Sequence, residues 1–393
     1  MTDAAGMSVT ALAAAADRAA ASGAVGQARD LLEQAVGQDP NNISLQMNLA
    51  ACCRALGDFS SALAVIDRAL AIEPRAYVAL LMKASVMEKL GAPHEAGAAY
   101  GIALTQAPSD DRLPARLRAA TSHAREVHAR YETALAESLR ESIGADRGGP
   151  AARRLGAFIE QLAGKRKAYQ QEPTQFRYPG LPAIEFWERE EFPWLEALEA
   201  ETAGIQAELR GVLSDDAGGL EPYVNYPANV PVDQWAELNR STRWSSYHLL
   251  ERGLPVAGHS ERCPRTMAAM ARLPQPQVVE RSPASMFSVL QPHTRIPPHT
   301  GVANTRLVLH LPLIVPESCG FRVGNETRQW RLGEAWVFDD TIEHEAWNDS
   351  DEVRTILICD IWNPRLSDEE REAIAQVMAA MDAFAGGVAS DGL

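Results

Sequence analysis

The first quarter of the chain repeats itself every 34 residues, and that period restricts the folds open to it. Pro40, Pro74 and Pro108 keep the spacing, as do Gly23, Gly57 and Gly91. Ala28, Ala62 and Ala96 keep it too, and so do Ala35, Ala69 and Ala103. A segment of this length is one supersecondary unit that buries its apolar face by stacking on the next copy. The middle copy, NNISLQMNLAACCRALGDFSSALAVIDRALAIEP, reads as helix–turn–helix. Each glycine falls where the first helix must end, each small alanine where two helices cross closely, and each proline before the next unit begins.

This pattern resembles the tetratricopeptide repeat, in three copies over roughly residues 7 to 108. Such arrays stack into a superhelix whose concave face commonly holds a peptide. A purely structural array is the plainer alternative. From Asp110 to about Lys167 the chain stays helical and rich in Ala, Arg and Glu, with GADRGGP (Gly144 to Pro150) breaking it in two. Composition then shifts at YPGLPAIEFWEREEFPW. The expected order is repeats over 1–108, a helical extension over 109–171 and a second domain over 172–393.

In the last third, SMFSVL (285–290), RLVLHLPLIV (306–315), CGFRV (319–323), AWVFDD (335–340) and VRTILICDIW (353–362) are β-branched or aromatic and separated by turn residues. That is an all-β sandwich or barrel pattern, not alternating βαβ. Ser367 and Glu370 in SDEE form a capping box that opens a final helix.

Bulk properties narrow the function. A net charge of -15 argues against binding a phosphate backbone. Cys52, Cys53, Cys263, Cys319 and Cys359 show no CxxC spacing, which suits reduced, buried thiols in a cytosolic protein. The start of the chain lacks a basic n-region, and no apolar run reaches the ~20 residues that cross a bilayer. The expectation is a cytoplasmic protein without a membrane span or nucleic-acid partner.

The chemically informative stretch is FDDTIEHEAWNDSDEVRTIL. If NDSD closes a hairpin centred on Asp349, His344 faces Arg354 across the ladder. A neutral imidazole suits iron, and a guanidinium grips a carboxylate with two prongs. A small dicarboxylate would then chelate a metal at one end and meet Arg354 at the other. Singly these residues are weak signals; His299, His310, His344 and Arg354 in one compact β domain are a stronger one.

PHTG, NTRLVLHLPL, the GNET turn, WVFDDTIEHEAWN, the arginine ten places after that histidine, and DIWNP together resemble the aspartyl/asparaginyl β-hydroxylases. The resemblance covers roughly residues 175 to 370. It implies a double-stranded β-helix (jelly-roll, cupin-like) oxygenase domain that uses Fe(II), 2-oxoglutarate and O₂. It also implies iron held by two histidines, His299 and His344, with Gly301 standing where a carboxylate would otherwise be. By the same resemblance Arg354 and Ser288 match the residues that hold the distal carboxylate of 2-oxoglutarate, and His310 matches one near its chelating end. Arg306 matches a substrate-associated position, and Asp340 is a candidate for supporting the metal or contacting substrate. Val308 departs from the family, whose animal members carry an arginine there. The implied reaction is β-hydroxylation of Asp or Asn in a protein or peptide presented by the repeats. The alternatives are the same chemistry on a lipid A-type or small or carrier-bound amino-acid substrate, or an adaptor without activity.

Overall fold

The computed structural model describes residues 7–143, 149–214 and 219–384. Two compact units divide between Arg166 and Lys167.

The first unit is all helix. Three helical hairpins follow one another: α1 (Val9–Ala21) with α2 (Val25–Gln38), α3 (Ile43–Ala55) with α4 (Phe59–Ile72), and α5 (Tyr77–Lys89) with α6 (Pro93–Leu104). Gly23, Gly57 and Gly91 have φ of 83°, 79° and 78°, the left-handed conformation that ends one helix and starts the turn to the next. The six repeated alanines are all 0% exposed, as close helix crossings require. Two further helices complete the unit, the long α7 (Ala115–Ile143) and α8 (Pro150–Leu162). The break expected over Gly144 to Pro150 falls mostly on 144–148, outside the described residues.

The second unit holds two antiparallel sheets. The larger contains β1 (Glu221–Pro222), β2 (Trp244–Glu251), β3 (Leu254–Pro255), β4 (Ser285–Leu290), β6 (Arg306–Ile314), β9 (Trp336–Phe338) and β11 (Arg354–Trp362). Its order is β1-β2-β4-β11-β6-β9, with β3 paired to β2. The smaller has the order β5-β10-β7-β8, from β5 (Thr294–His299), β7 (Cys319–Val323), β8 (Glu326–Arg328) and β10 (His344–Asn348).

Side chains alternate along each strand, so residue parity sorts the faces of the larger sheet. Tyr247, Phe287, Leu309, Leu357 and Cys359 pack outward on Leu195, Leu198, Ile205 and Leu209, which come from α9 (Leu195–Glu199) and α10 (Thr202–Ser214). Trp244, Leu290, Val308, Phe338 and Ile356 pack inward against Ile296, Phe321, Val323 and Ala346 of the smaller sheet. All five cysteines are free and buried. After α11 (Pro264–Met270), the last described element is α12 (Asp368–Phe384). Its capping box is closed reciprocally: Glu370 N donates to Ser367 Oγ at 3.2 Å and Ser367 N to Glu370 Oε2 at 2.8 Å.

The hairpin expected around Asp349 does not form. β10 pairs with β5 and β7, whereas β11 pairs with β4 and β6, so His344 and Arg354 lie on different sheets. Asn348 explains the crossing. Its Nδ2 reaches across to Leu290 O at 3.1 Å and to Glu352 O at 2.8 Å, while its Oδ1 accepts from Ser350 Oγ at 2.6 Å. The buried amide ties the end of one sheet to the other and fixes NDSD as a sheet-to-sheet corner.

Candidate functional site

Parity places the site. His310 and Arg354 share the inward face with Ser288, Arg306, Val308 and Asp360, because all six sit at even positions of paired strands. From the smaller sheet His344 and His299 face them. These two are directly opposed in adjacent strands, with ring centroids 4.0 Å apart. Their pairing depends on a bulge: Pro297 and Pro298 together oppose the single residue Glu345. Proline has no N–H to give the ladder, and the extra residue returns His299 to the same face as Ile296.

The two imidazoles are held in one tautomer. His299 Nδ1 lies 2.8 Å from Pro297 O and His344 Nδ1 3.0 Å from Ile342 O. A carbonyl accepts only from a protonated nitrogen, so each Nε2 keeps its lone pair. Removal from water pushes His299 down to about 3 and His344 to about 4, with the neighbouring imidazole adding to the shift of His299. Both are neutral donors of the kind a divalent metal takes. Among the described residues no three His, Cys, Asp or Glu side chains converge as a metal site. The pair stands without a third ligand, because the space beside Gly301 is filled: a Cβ there would lie 1.9 Å from Asp340 Oδ2.

Opposite the pair, Arg354 is 1% exposed, and its Nε and Nη1 have no hydrogen-bond partner. Burial lowers it to about 10, and among the described residues no carboxylate compensates. The ring of Trp330 lies 4.8 Å from the guanidinium carbon. A buried cation in this state favours an anionic ligand beside it. Ser288 lies one step along the same face, buried, its Oγ accepting from Trp244 Nε1 at 3.1 Å. His310 joins the two halves: its ring is 5.0 Å from that of Phe321, which is 5.8 Å from His344. Burial, then Arg354 and His344, holds it well below the ordinary imidazole range. Its Nδ1 is buried and unpartnered.

Arg306 and Asp340 are buried together, Nη1 to Oδ2, at 3.0 Å. A second acid, Asp360, stands 3.4 Å from Arg306 Nε on the other side. Against its own desolvation, these two carboxylates hold the guanidinium above its ordinary pKa. Asp360 in turn accepts from Ala284 N at 2.8 Å. Sequence reasoning did not find Asp360, which sits unremarked inside an apolar strand. It also missed three aromatic residues at the mouth. The Trp235 ring is 5.0 Å and the Trp244 ring 6.4 Å from His299, and Tyr223 stacks flat on Trp244 at 3.8 Å. Tyr223 and Trp235 lie in a segment of little regular structure, where no periodicity marks them.

Residues 199–364 match the aspartyl/asparaginyl β-hydroxylase family and residues 19–85 the tetratricopeptide repeat. An ornithine lipid ester-linked acyl 2-hydroxylase of Rhizobium tropici is 33% identical over 196 residues, 49% of this chain and 66% of that protein. The human aspartyl/asparaginyl beta-hydroxylase is 32% identical over 202 residues, 50% of this chain and 25% of that protein. Neither relative is spanned to two thirds of its length. Among solved structures, the first tetratricopeptide domain of Spaghetti (RPAP3), bound to an HSP90 peptide, is 20% identical over 31% of this chain and 91% of that chain, with a TM-score of 0.28. The chain thus carries an aspartyl/asparaginyl β-hydroxylase domain, matched over residues 199–364, behind tetratricopeptide repeats.

Proposed function

We propose that this protein is a 2-oxoglutarate-dependent, Fe(II) dioxygenase that hydroxylates the β-carbon of an Asp or Asn residue in a polypeptide, releasing succinate and CO₂. The observation that carries the reading is Arg354: a buried cation with no counter-ion among the described residues, on the sheet face opposite two neutral, tautomer-fixed imidazoles. A molecule with a carboxylate at one end and a metal-chelating group at the other answers both features.

In this reading His299 and His344 hold the metal through Nε2. Arg354 and Ser288 grip the distal carboxylate, and His310 borders the chelating end. The bound iron and cosubstrate supply the oxidising power from O₂. The chain supplies position and dryness: Phe321, Phe338, Trp330 and Trp336 wall the space between the sheets. The two facing sheets are those of a distorted double-stranded β-helix. The repeats recruit the polypeptide, in the way such arrays commonly do, and the setting is the cytoplasm; among the described residues no helix is long and apolar enough to cross a membrane.

A second reading keeps the chemistry and changes the substrate to a lipid acyl chain. It is favoured by the Rhizobium tropici relative, named for acyl 2-hydroxylation of ornithine lipid. The test is anaerobic addition of Fe(II) and then 2-oxoglutarate, following the visible charge-transfer band of a chelated 2-oxoacid, with His344→Ala as control. The band is expected in the parent alone. Its absence in the parent would overturn both readings. Where it forms, oxygen consumption with peptide or with ornithine lipid decides between them.

A further inference from the structure

We infer that the substrate side of this site selects a side-chain carboxamide over a carboxylate, through the unpartnered buried Oδ1 of Asp340 and the two acids that flank Arg306. The inference rests on the reading above and names the substrate class within it.

Asp340 is 6% exposed, and its two oxygens are treated unequally. Oδ2 accepts from Arg306 Nη1 at 3.0 Å, whereas Oδ1 is buried with no hydrogen-bond partner. Oδ1 lies 2.7 Å from the point a Cβ on Gly301 would occupy, two residues from His299. A buried carboxylate oxygen without a donor is costly, and a ligand that brings an N–H relieves the cost. An amide NH₂ brings two. A carboxylate brings none and sets like charge against like.

The charges point the same way. Arg306 serves both acids, with Asp340 at 3.0 Å and Asp360 at 3.4 Å. Among the described residues neither acid has another ion-pair partner. Val308, between Arg306 and His310 on the same face, is buried and apolar and adds no positive charge. Asp339 next door is engaged by Gln171 Nε2 at 2.6 Å and Thr341 N at 3.0 Å, and it too brings no cation. With a divalent metal and a doubly charged 2-oxoacid cancelling, Arg354 leaves one positive charge and the Arg306 group one negative. Asp339, a third buried acid, adds to the negative side. A neutral side chain leaves that balance as it is, whereas a carboxylate adds a further uncompensated negative charge.

The experiment uses the full chain and two matched probes, N-acetyl-L-asparagine N-methylamide and N-acetyl-L-aspartate N-methylamide. Binding is read by quenching of tryptophan fluorescence, since Trp235 and Trp244 border His299, both in metal-free protein and in the anaerobic Fe(II)–2-oxoglutarate complex. The asparagine probe is expected to bind about tenfold or more tightly, the scale set by one unpaired buried polar group. Asp360→Asn, which removes one charge and spares Oδ1, should narrow the ratio. Asp340→Asn, which supplies a donor and releases Arg306, should invert it. Equal binding, a preference for the aspartate probe, or binding of neither would overturn the inference. Failure of the underlying oxygenase reading is seen separately, as absence of the 2-oxoglutarate band in the parent.

Discussion

Asp340 and Gly301 occupy one another's space: the Asp340 carboxylate lies where a side chain on Gly301 would begin, with Oδ2 1.9 Å from the ideal Cβ position. The carboxylate is not free to swing away. Arg306 Nη1 donates to its Oδ2 at 3.0 Å, and Gly301 N donates to its carbonyl at 2.7 Å. Installing the acid that usually follows such a histidine therefore costs more than it offers. Gly301→Asp is expected to lower stability by about 2–4 kcal/mol, from steric displacement and an unpaired second charge. Metal affinity should not rise. Thermal unfolding and a metal titration check the two halves; an unchanged Tm with tighter metal binding would show that Asp340 is not pinned.

Acid should loosen the metal-free protein, and the sign follows from the histidines. Burial holds His310 well below the usual range and His344 at about 4, while His299, half-buried, sits at about 3. Unfolded, all three take up protons near pH 6.5. The unfolded state thus binds more protons below that point, and stability present at pH 7 is lost as pH falls toward 4. The slope is up to about 1.4 kcal/mol per pH unit for each fully buried imidazole. Asp339 opposes the trend: burial raises its carboxyl to about 6, so it gains stability as pH drops through that value. Asp360, which burial also raises, acts in the same direction, but two such groups do not offset three. Denaturant midpoints should fall between pH 7 and pH 5. A flat profile would mean the imidazoles titrate in the fold as they do in the unfolded chain.

In the repeat unit, Gly57→Ala isolates a conformational effect. Nothing lies within 4 Å of the added Cβ, yet φ is 79°, where any side chain is strained. The expected loss is about 1 kcal/mol. It should appear as faster amide exchange in α3 and α4, with the site-bearing unit unchanged. Equal protection in both variants would show that the turn tolerates a side chain.

How much of this was visible in the sequence depends on how local each feature is. The repeat was legible because Gly57 and Ala62 act within their own helical hairpin. The strands around Phe287, Leu309 and Leu357 were legible because each is a short run rich in apolar and β-branched residues, bounded by turn residues. The pairing of His344 with Arg354 was misread, since a turn-like NDSD looks the same whether it closes a hairpin or crosses between sheets. What decides it is Asn348 reaching Leu290, a contact 58 residues apart. The bulge at Pro297 and Pro298 is equally hidden, and without it His299 would point away from His344. Asp360, Tyr223 and Trp235 enter the site through tertiary packing alone.

Arg354 brings stability and function into opposition. Its guanidinium is buried without a counter-ion among the described residues, and the Trp330 ring 4.8 Å away offsets part of the lost hydration. An apolar replacement of similar length removes that penalty. Arg354→Met is expected to stabilise the ligand-free protein by about 1–2 kcal/mol. The same change deletes the anchor for the distal carboxylate. Half-saturation by 2-oxoglutarate should then need about 30-fold more or higher, the cost of losing one desolvated charge pair. Metal binding should be unaffected, because His299 and His344 belong to the other sheet. Thermal unfolding, 2-oxoglutarate titration and metal titration separate the three effects. A variant that is destabilised, or that keeps the parent's 2-oxoglutarate requirement, would mean Arg354 is satisfied within the fold and is not the cosubstrate's anchor. A variant that is stabilised and has lost 2-oxoglutarate, with its metal intact, would mean the chain keeps an unfavourable buried cation because its ligand needs it.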